Sequence, residues 1–188
     1  MSKRAFIIAF STFAVLIVAL FIADRNIERT LRVDGDRVIY TDAKELAKMV
    51  DLVVLATATG NSENIRYTVD GFPEGYTLSE IHISEILENR NGVELSDTIT
   101  VVEPTYLFRN GIELGETRYT IEGYTPLVKS AEYILFLEWN EYRGVYEIYS
   151  ADQGKVNTDN KDTFEIQTVS EENHLDILHR SVKSLYLQ

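Results

Sequence analysis

The histidine and carboxylate side chains are the groups of this sequence that could carry acid–base or metal chemistry. The 188-residue chain has no cysteine, which excludes a thiol nucleophile and a thiolate metal site. Its three histidines are His82, His174 and His179. The last two are five residues apart on a predicted helix, and not the four that would place both on one face. We therefore interpret the histidines as solvated side chains and predict no metal, no cofactor and no catalytic residue.

The acidic loop at residues 152–162 has the oxygen-rich composition of a calcium site. No reading frame, however, provides oxygen ligands at positions one, three and five with glycine at six and glutamate at twelve. Phosphate-binding glycine motifs and the G-x-S-x-G elbow are also missing from the sequence. Carboxylate pairs such as Glu80 with Glu85 arise by chance on so acidic a chain. They keep a carboxylate-dependent cell-envelope hydrolase open as an alternative to a non-enzymatic protein.

Tyrosine is the residue type that best suits a binding surface in this chain. There are eleven tyrosines, and exposed aromatic rings bind sugars and partner proteins. The candidate surface comprises Tyr106, Tyr119, Tyr124 and Tyr142. Tyrosine is also a common strand residue, so packing within the fold is the alternative interpretation.

The N-terminal segment has the features of a membrane anchor. Residues 5–23 include no charged side chain, and as a helix they would span roughly 28 Å, close to the thickness of a bilayer core. We predict a cytoplasmic tail at 1–4, a single-pass signal anchor at 5–23 and a C-terminal part outside the cytoplasm. Cleavage and secretion is the alternative, although Phe21 fits poorly three residues before a cut after Ala23.

Charge excludes one class of partner. All 30 acidic residues and 16 of the 18 basic residues follow residue 23, so this part carries a net charge of −14. A field of that sign repels the phosphate backbone. We therefore predict no nucleic-acid partner, and expect contact with the membrane through residues 5–23 and with an envelope protein or glycan.

The elements that must position any site are mostly strands. Residues 24–42 are predicted to form a spacer or a hairpin, with strands at 30–33 and 37–40 around Asp34-Gly35-Asp36. Thr41 or Asp42 would cap a short helix at 43–49, which opens a domain extending over residues 43–188. Further strands are predicted at 51–60, 64–69, 76–87, 97–102, 106–108, 118–121, 133–137, 145–149 and 164–168.

Three details of this pattern are specific. The apolar positions of the strand at 76–87 change phase between Leu78 and Ile81, which predicts a bulge or strong coiling there. The unbroken apolar run at 133–137 predicts a strand covered on both faces. Ser170 is expected to cap a C-terminal amphipathic helix at 170–186. Together they predict a mainly β fold: a small antiparallel OB-like barrel with a short N-terminal helix and a C-terminal helix, preceded by the transmembrane helix.

The succession VDLVVLATATG, YTLSEIHISEILEN, SDTITVVE, TPLVKSAEYILFLEW and YEIYSADQGKV resembles the OB-type barrel shared by netrin-like modules and tissue inhibitors of metalloproteinases. The resemblance covers roughly residues 43–157 and is closest in pattern to uncharacterised bacterial exported or membrane-anchored proteins. Inhibitors of that family present a cysteine at a free N-terminus to zinc, and this chain has none, so no functional residue carries over. The expected function is an extracytoplasmic binding or interaction domain, with a structural or assembly subunit of an envelope complex as a further alternative.

Overall fold

The computed structural model describes residues 3–187 except 110, 112 and 172, and leaves the side chains of residues 3–9, 23, 26, 171 and 173 undescribed. The helices are α1 Lys3–Asn26, α2 Ala43–Ala47, α3 Thr163–Glu171 and α4 Asn173–Tyr186, with a 3-10 turn at Ala151–Gly154. The strands are β1 Glu28–Val33, β2 Leu52–Val69, β3 Phe72–Asn89, β4 Thr98–Glu103, β5 Thr105–Phe108, β6 Glu116–Ile121, β7 Glu132–Asn140, β8 Val145–Ile148 and β9 Lys155–Asn157. The fold is thus mainly β, with helices at its two ends and one short helix between.

The larger sheet has six strands in the order β2-β3-β4-β8-β7-β9, and β2 also pairs with β7. Its pairs are antiparallel except β4 with β8, which run parallel. The small sheet has the order β1-β6-β5. Its β5–β6 pair joins the strands predicted at 106–108 and 118–121 in an antiparallel hairpin.

Strand β7 is covered on both faces, as its apolar run predicts. The side chains of residues 133–137 have no exposed area. Tyr133, Leu135 and Leu137 join one core cluster with the alternate residues of β2. Ile134 and Phe136 join a second cluster with α2 and α4. Because successive side chains of a strand point to opposite faces, one continuous apolar run can supply both clusters.

The strands β2 and β3 are longer than the sequence predicts. Gly60 does not end the strand, because β2 continues to Val69 and pairs with β3 along the way. The register changes between Ala58 and Ser62, which lie opposite Ile81 and Ser79. An irregularity is therefore present at the predicted place, but the extra residues that cause it belong to β2, and β3 pairs with β4 without a register shift over residues 77–82.

The predicted hairpin in residues 24–42 is wrong. Strand β1 pairs in parallel with β6, and residues 34–42 contain no strand. These residues are fixed by side chains instead. The Arg37 guanidinium forms ion pairs with the buried carboxylates of Asp152 and Glu122. The backbone N–H of Tyr40 donates to Gln153 Oε1 at 2.7 Å. The turn predicted at Asp34-Gly35-Asp36 therefore does not lead into a hairpin, because contacts with residues distant in sequence fix this segment.

The short helix after this segment is confirmed together with its cap. Asp42 is the N-cap of α2, and its side chain accepts hydrogen bonds from the backbone N–H groups of Lys44 and Glu45. Ala43, Leu46 and Ala47 are buried against the second core cluster. The capping carboxylate and the apolar face together position the helix over β2 and β7.

The C-terminal prediction is correct for one helix and wrong for the segment before it. Leu175, Leu178 and Val182 are buried along α4, as their spacing predicts. Residues 164–168 were predicted to be a strand, but they lie in α3, and a second helix begins at Asn173. The predicted cap is also wrong, because Ser170 lies inside α3 and its hydroxyl donates to the Gln167 carbonyl. The sequence Asp162-Thr-Phe-Glu165 explains the difference. The Asp162 carboxylate accepts from the backbone N–H of Glu165 at 3.0 Å and so caps α3.

Helix α1 presents its apolar side chains outward. The described large hydrophobic residues from Phe10 to Ile22 are each more than half exposed. At the end of the helix, Asp24 accepts hydrogen bonds from the Arg109 guanidinium and from the backbone N–H of Gly115, each at 2.9 Å. Among the residues that the structure describes, no helix meets the length and apolarity needed to span a membrane. Part of the predicted anchor, the side chains of residues 5–9 and 23, lies outside that set.

Candidate functional site

The four tyrosines predicted as a binding surface do not form one. Tyr106 and Tyr119 stack on each other across β5 and β6, with ring centroids 5.1 Å apart, and Tyr106 is buried. Tyr124 is 1% exposed and belongs to the core. Tyr142 is fully exposed in the turn between β7 and β8. Only Tyr142 is an open surface residue, and the packing interpretation holds for Tyr106 and Tyr124.

The buried tyrosines hold polar groups inside the fold. The Tyr124 hydroxyl donates to Glu103 Oε2 at 2.8 Å, and the backbone N–H of Leu127 donates to the same oxygen. Burial, followed by the charge of Glu103, raises the pKa of Tyr124 well above its ordinary value. Burial also raises the pKa of Tyr106 to about 12. These hydroxyls therefore act as neutral hydrogen-bond donors, and the Glu103 carboxylate is satisfied by the protein itself.

An aromatic cleft, which the sequence did not reveal, lies at one end of the first core cluster. It is a cavity of about 470 Å³. It is lined by Asn91, Val93, Glu94, Leu95, Ser96, Ile99, Thr100, Trp139, Gly144, Val145 and Tyr146. The rings of Trp139 and Tyr146 meet edge to face, with centroids 5.0 Å apart. Trp139 is 41% exposed, whereas Tyr146 is buried. The cleft thus has an aromatic wall, one ring of which a ligand could contact.

Two elements shape the aromatic cleft. The β7–β8 hairpin pairs Trp139 with Tyr146, and the Trp139 backbone N–H donates to Asp51 Oδ2 at 2.8 Å. The facing wall is the connection at residues 90–97. Its start is tied down where the Arg90 guanidinium donates to the Lys48 carbonyl at 2.7 Å. The aromatic cleft has the volume, the apolar walls and the few polar groups that are typical of small-ligand sites and of pockets for single side chains.

The two ends of the acidic loop at residues 152–162 belong to a buried ion-pair cluster, whereas Asn160 and Lys161 are exposed. Lys155 Nζ lies 2.8 Å from Asp162 Oδ2 and 3.2 Å from Glu165 Oε2. It also donates to the carbonyl and hydroxyl of Thr125, each at 2.8 Å. Burial is the main influence on Glu165 and raises its pKa. Strand β9 carries Lys155 into the interior, where Asp162 from the end of the loop and Glu165 from α3 pair with it.

No calcium or other metal site emerges among the described residues, since no three His, Asp or Glu side chains are grouped suitably. Glu80 and Glu85, the pair that kept a hydrolase open, lie on β3. Glu80 accepts a hydrogen bond from the Asn61 amide at 2.9 Å, and the Glu85 side chain is exposed. Asp162 and Glu165 are the acids that the fold brings together, and both contact Lys155.

His179 is buried, contrary to the prediction that the histidines are solvated. Its Nδ1 lies 3.7 Å from Glu165 Oε1. Burial, followed by the charges of Lys183 and Lys155, lowers the pKa of His179 to about 4. The ring is therefore neutral at pH 7. His179 lies on the face of α4 that is directed at α3. The sequence did not predict this burial, because a strand was predicted where α3 lies.

This pKa predicts a pH dependence of stability. The unfolded chain protonates His179 near its ordinary pKa of 6.5, whereas the folded chain stays neutral until about pH 4. Acidification between these values therefore favours unfolding, and the contribution lost is about 3 kcal/mol. Urea titrations at pH 7.5 and pH 4.5 should show a smaller pH effect for His179→Gln than for the unchanged chain. His82→Gln, at an exposed site, is the control. An equal pH effect in all three proteins would contradict the prediction.

Comparison with protein-family models, with curated proteins and with solved structures gives no match to this chain. The fold is a mainly β domain with two mixed sheets and flanking helices. Functional inference therefore depends on the site itself.

Proposed function

We propose that this protein is a membrane-anchored, extracytoplasmic binding domain without catalytic activity, and that it binds an apolar segment of an envelope protein in the aromatic cleft. The observation that supports this most directly is the cleft formed by Trp139, Tyr146, Ile99 and Leu95. Its lining has more apolar than polar side chains. Such a lining favours an aliphatic or aromatic peptide side chain over a glycan, which needs more hydrogen-bonding partners.

The membrane anchor is supported by the sequence and by the surroundings of α1. Residues 5–23 are uncharged, and the described apolar side chains of α1 are not covered by the domain. A helix that is apolar on all sides is stable when it is surrounded by a core or by lipid. The ion pair of Asp24 with Arg109 lies at the domain end of this helix and would hold the domain against the anchor.

An OB-type barrel is supported by the strand pairings. Strand β2 pairs with β3, β3 with β4, β4 with β8, β8 with β7, and β7 with β2. A ring of five neighbouring strands is compatible with the five-stranded, partly open Greek-key barrel of the OB type. Clefts at the mouths of small barrels are common ligand sites, which is consistent with a site beside Trp139.

Trp139 makes the proposal testable because it is the only tryptophan in the chain. Peptides selected by display on the full chain in nanodiscs should shift its fluorescence to shorter wavelengths on binding. Replacing Trp139 with alanine removes an aromatic anchor. The affinity of the selected peptides, measured by calorimetry, should fall by about thirtyfold. Tyr142→Ala, an exposed aromatic outside the cleft, should leave their affinity unchanged.

Two results would contradict the proposed function. One is a set of selected peptides whose affinity does not depend on Trp139. The other is a fluorescence shift produced by glycan fragments of the cell envelope while peptides produce none.

The membrane anchor is tested separately with Leu16→Cys, which gives this cysteine-free chain a single thiol for a fluorophore. Quenching of that fluorophore by lipid-borne quenchers is then measured. Full exposure of that fluorophore to water would overturn the anchor alone.

A further inference from the structure

Three side chains with complementary chemistry meet in the interior, away from the aromatic cleft. Lys155 lies on β9, and Asp162 and Glu165 lie at the start of α3. The side chains of Lys155 and Asp162 are 1% and 0% exposed, and that of Glu165 is 7% exposed. An amine, a carboxyl and a second carboxyl are thus held together in a space that excludes water.

We propose that Lys155 and Asp162 condense into an intramolecular isopeptide bond, with Glu165 transferring the proton. The neutral Lys155 amine attacks Asp162 Cγ, and the new C–N bond forms as a C–O bond breaks. One proton from nitrogen and the departing hydroxyl leave as a single water molecule. The reaction changes no oxidation state and needs no co-reactant, so the folded chain contains every group that the step requires.

The amine already contacts the carboxyl group that it would attack. Lys155 Nζ lies 2.8 Å from Asp162 Oδ2. Fixed proximity of this kind converts a slow bimolecular condensation into a far faster intramolecular one. The amine is held in place by the carbonyl and hydroxyl oxygens of Thr125.

The carboxyl group of Asp162 is polarised on both oxygens. Its Oδ1 accepts from the backbone N–H of Glu165 at 3.0 Å, at the N-terminal end of α3. Its Oδ2 accepts from the Tyr133 hydroxyl at 3.0 Å, and Tyr133 in turn accepts from the Val128 backbone N–H. A backbone N–H directed at the oxygen on which negative charge develops stabilises a tetrahedral intermediate.

Glu165 is placed to carry the proton. Its Oε2 lies 3.2 Å from Lys155 Nζ, within reach of the proton that the amine must lose. Burial raises the pKa of Glu165, so its protonated form, the one that donates a proton to the leaving hydroxyl, is accessible. The neutral imidazole of His179, 3.7 Å from Glu165 Oε1, adds no competing positive charge.

The excess of buried carboxylates over ammonium groups favours the neutral product over the ion pair. The rings of Tyr124 and Tyr133, whose centroids lie 5.2 and 5.3 Å from Lys155 Nζ, keep water away from the amine, although a ring face by itself favours the ammonium form. In such a low-dielectric interior, two carboxylates share one ammonium group, and a buried charge is costly unless it is fully compensated. Condensation removes one positive and one negative charge. It also gives a chain without cysteine a covalent cross-link that needs no thiol.

Mass spectrometry of the purified full chain tests the bond directly. The denatured protein should be lighter than its sequence mass by one water molecule. Trypsin should leave the chain uncut after Lys155, since an acylated lysine is not cleaved. The digest should then contain the fragment 144–161 joined covalently to the fragment 162–180. Full sequence mass after prolonged incubation of the folded chain at pH 5 to 8 would overturn the proposal.

Variants distinguish a loss of water caused by this bond from a loss of water at other sites. Lys155→Arg should restore the full sequence mass, whereas Lys161→Arg, at an exposed lysine of the same loop, should keep the loss. Asp162→Asn should lose ammonia in place of water. Glu165→Gln should slow bond formation at least tenfold while circular dichroism shows a folded chain. A loss of water that persists in Lys155→Arg, or that maps to an Asp-Gly sequence and disappears with hydroxylamine, would overturn the proposal. An unchanged rate in Glu165→Gln would overturn the role of Glu165.

Discussion

Replacing Phe136 with alanine should lower the free energy of unfolding by about 3–5 kcal/mol. Phe136 has no exposed area and packs between the sheet and the two helices α2 and α4. Its ring also meets that of Tyr186 edge to face, with centroids 6.2 Å apart. The substitution removes this contact and leaves a cavity that neighbours on three elements cannot all close.

The matched control for this prediction is Phe72→Ala. Phe72 lies at the turn between β2 and β3 and is 71% exposed, so the same change should cost little. Urea titrations of the full chain in mild detergent, followed by Trp139 fluorescence, measure both variants. Similar losses at the two positions would show that β7 is not the doubly covered strand described here.

Replacing Arg37 with methionine should have an effect of the same size, about 3–5 kcal/mol. Its side chain is 14% exposed and forms ion pairs with Asp152 and Glu122, whose side chains are 7% and 10% exposed. Methionine keeps much of the apolar volume but leaves two carboxylates in the interior without this partner. The cost arises because these two buried charges lose the guanidinium and gain no solvent in its place.

Arg180→Met is the control for Arg37. Arg180 forms an exposed ion pair with Asp176 one helical turn away, at 2.9 Å, and such pairs contribute only about 0.3–0.5 kcal/mol. Proteolysis of the segment at residues 34–42 gives a second readout. It should accelerate in Arg37→Met and stay unchanged in Arg180→Met. If both variants unfold at the same urea concentration as the unchanged chain, residues 34–42 are not fixed to the domain by Arg37.

Local signals in the sequence determined much of the fold. Asp42 predicted the cap of α2, the run at 133–137 predicted a strand buried on both faces, and the phase change near Leu78 located the bulge. Each of these features depends on side-chain periodicity or on capping within a few residues. Such information is fully present in the order of the amino acids.

The site features depended on contacts that the sequence does not encode locally. Trp139 marked only the end of a strand, and its cleft required the connection at residues 90–97, more than forty residues earlier. The capping pattern Asp162-x-x-Glu165 was a signal for α3 that the strand-like composition of residues 164–168 outweighed. The predicted tyrosine surface is not formed, because Tyr106 and Tyr124 are buried. Burial, and not residue type, decides whether a ring can contact a ligand.

What the sequence determined by itself is the mainly β character, the doubly covered strand and the strong negative charge of the chain after residue 23. What only the tertiary structure decided is which polar side chains are buried together. Lys155, Asp162, Glu165 and His179 belong to three separate elements, and nothing in their spacing distinguishes them from solvated residues. The physical reason is that desolvation and pairing of charges act through space, between groups that chain folding alone brings within a few ångströms of each other.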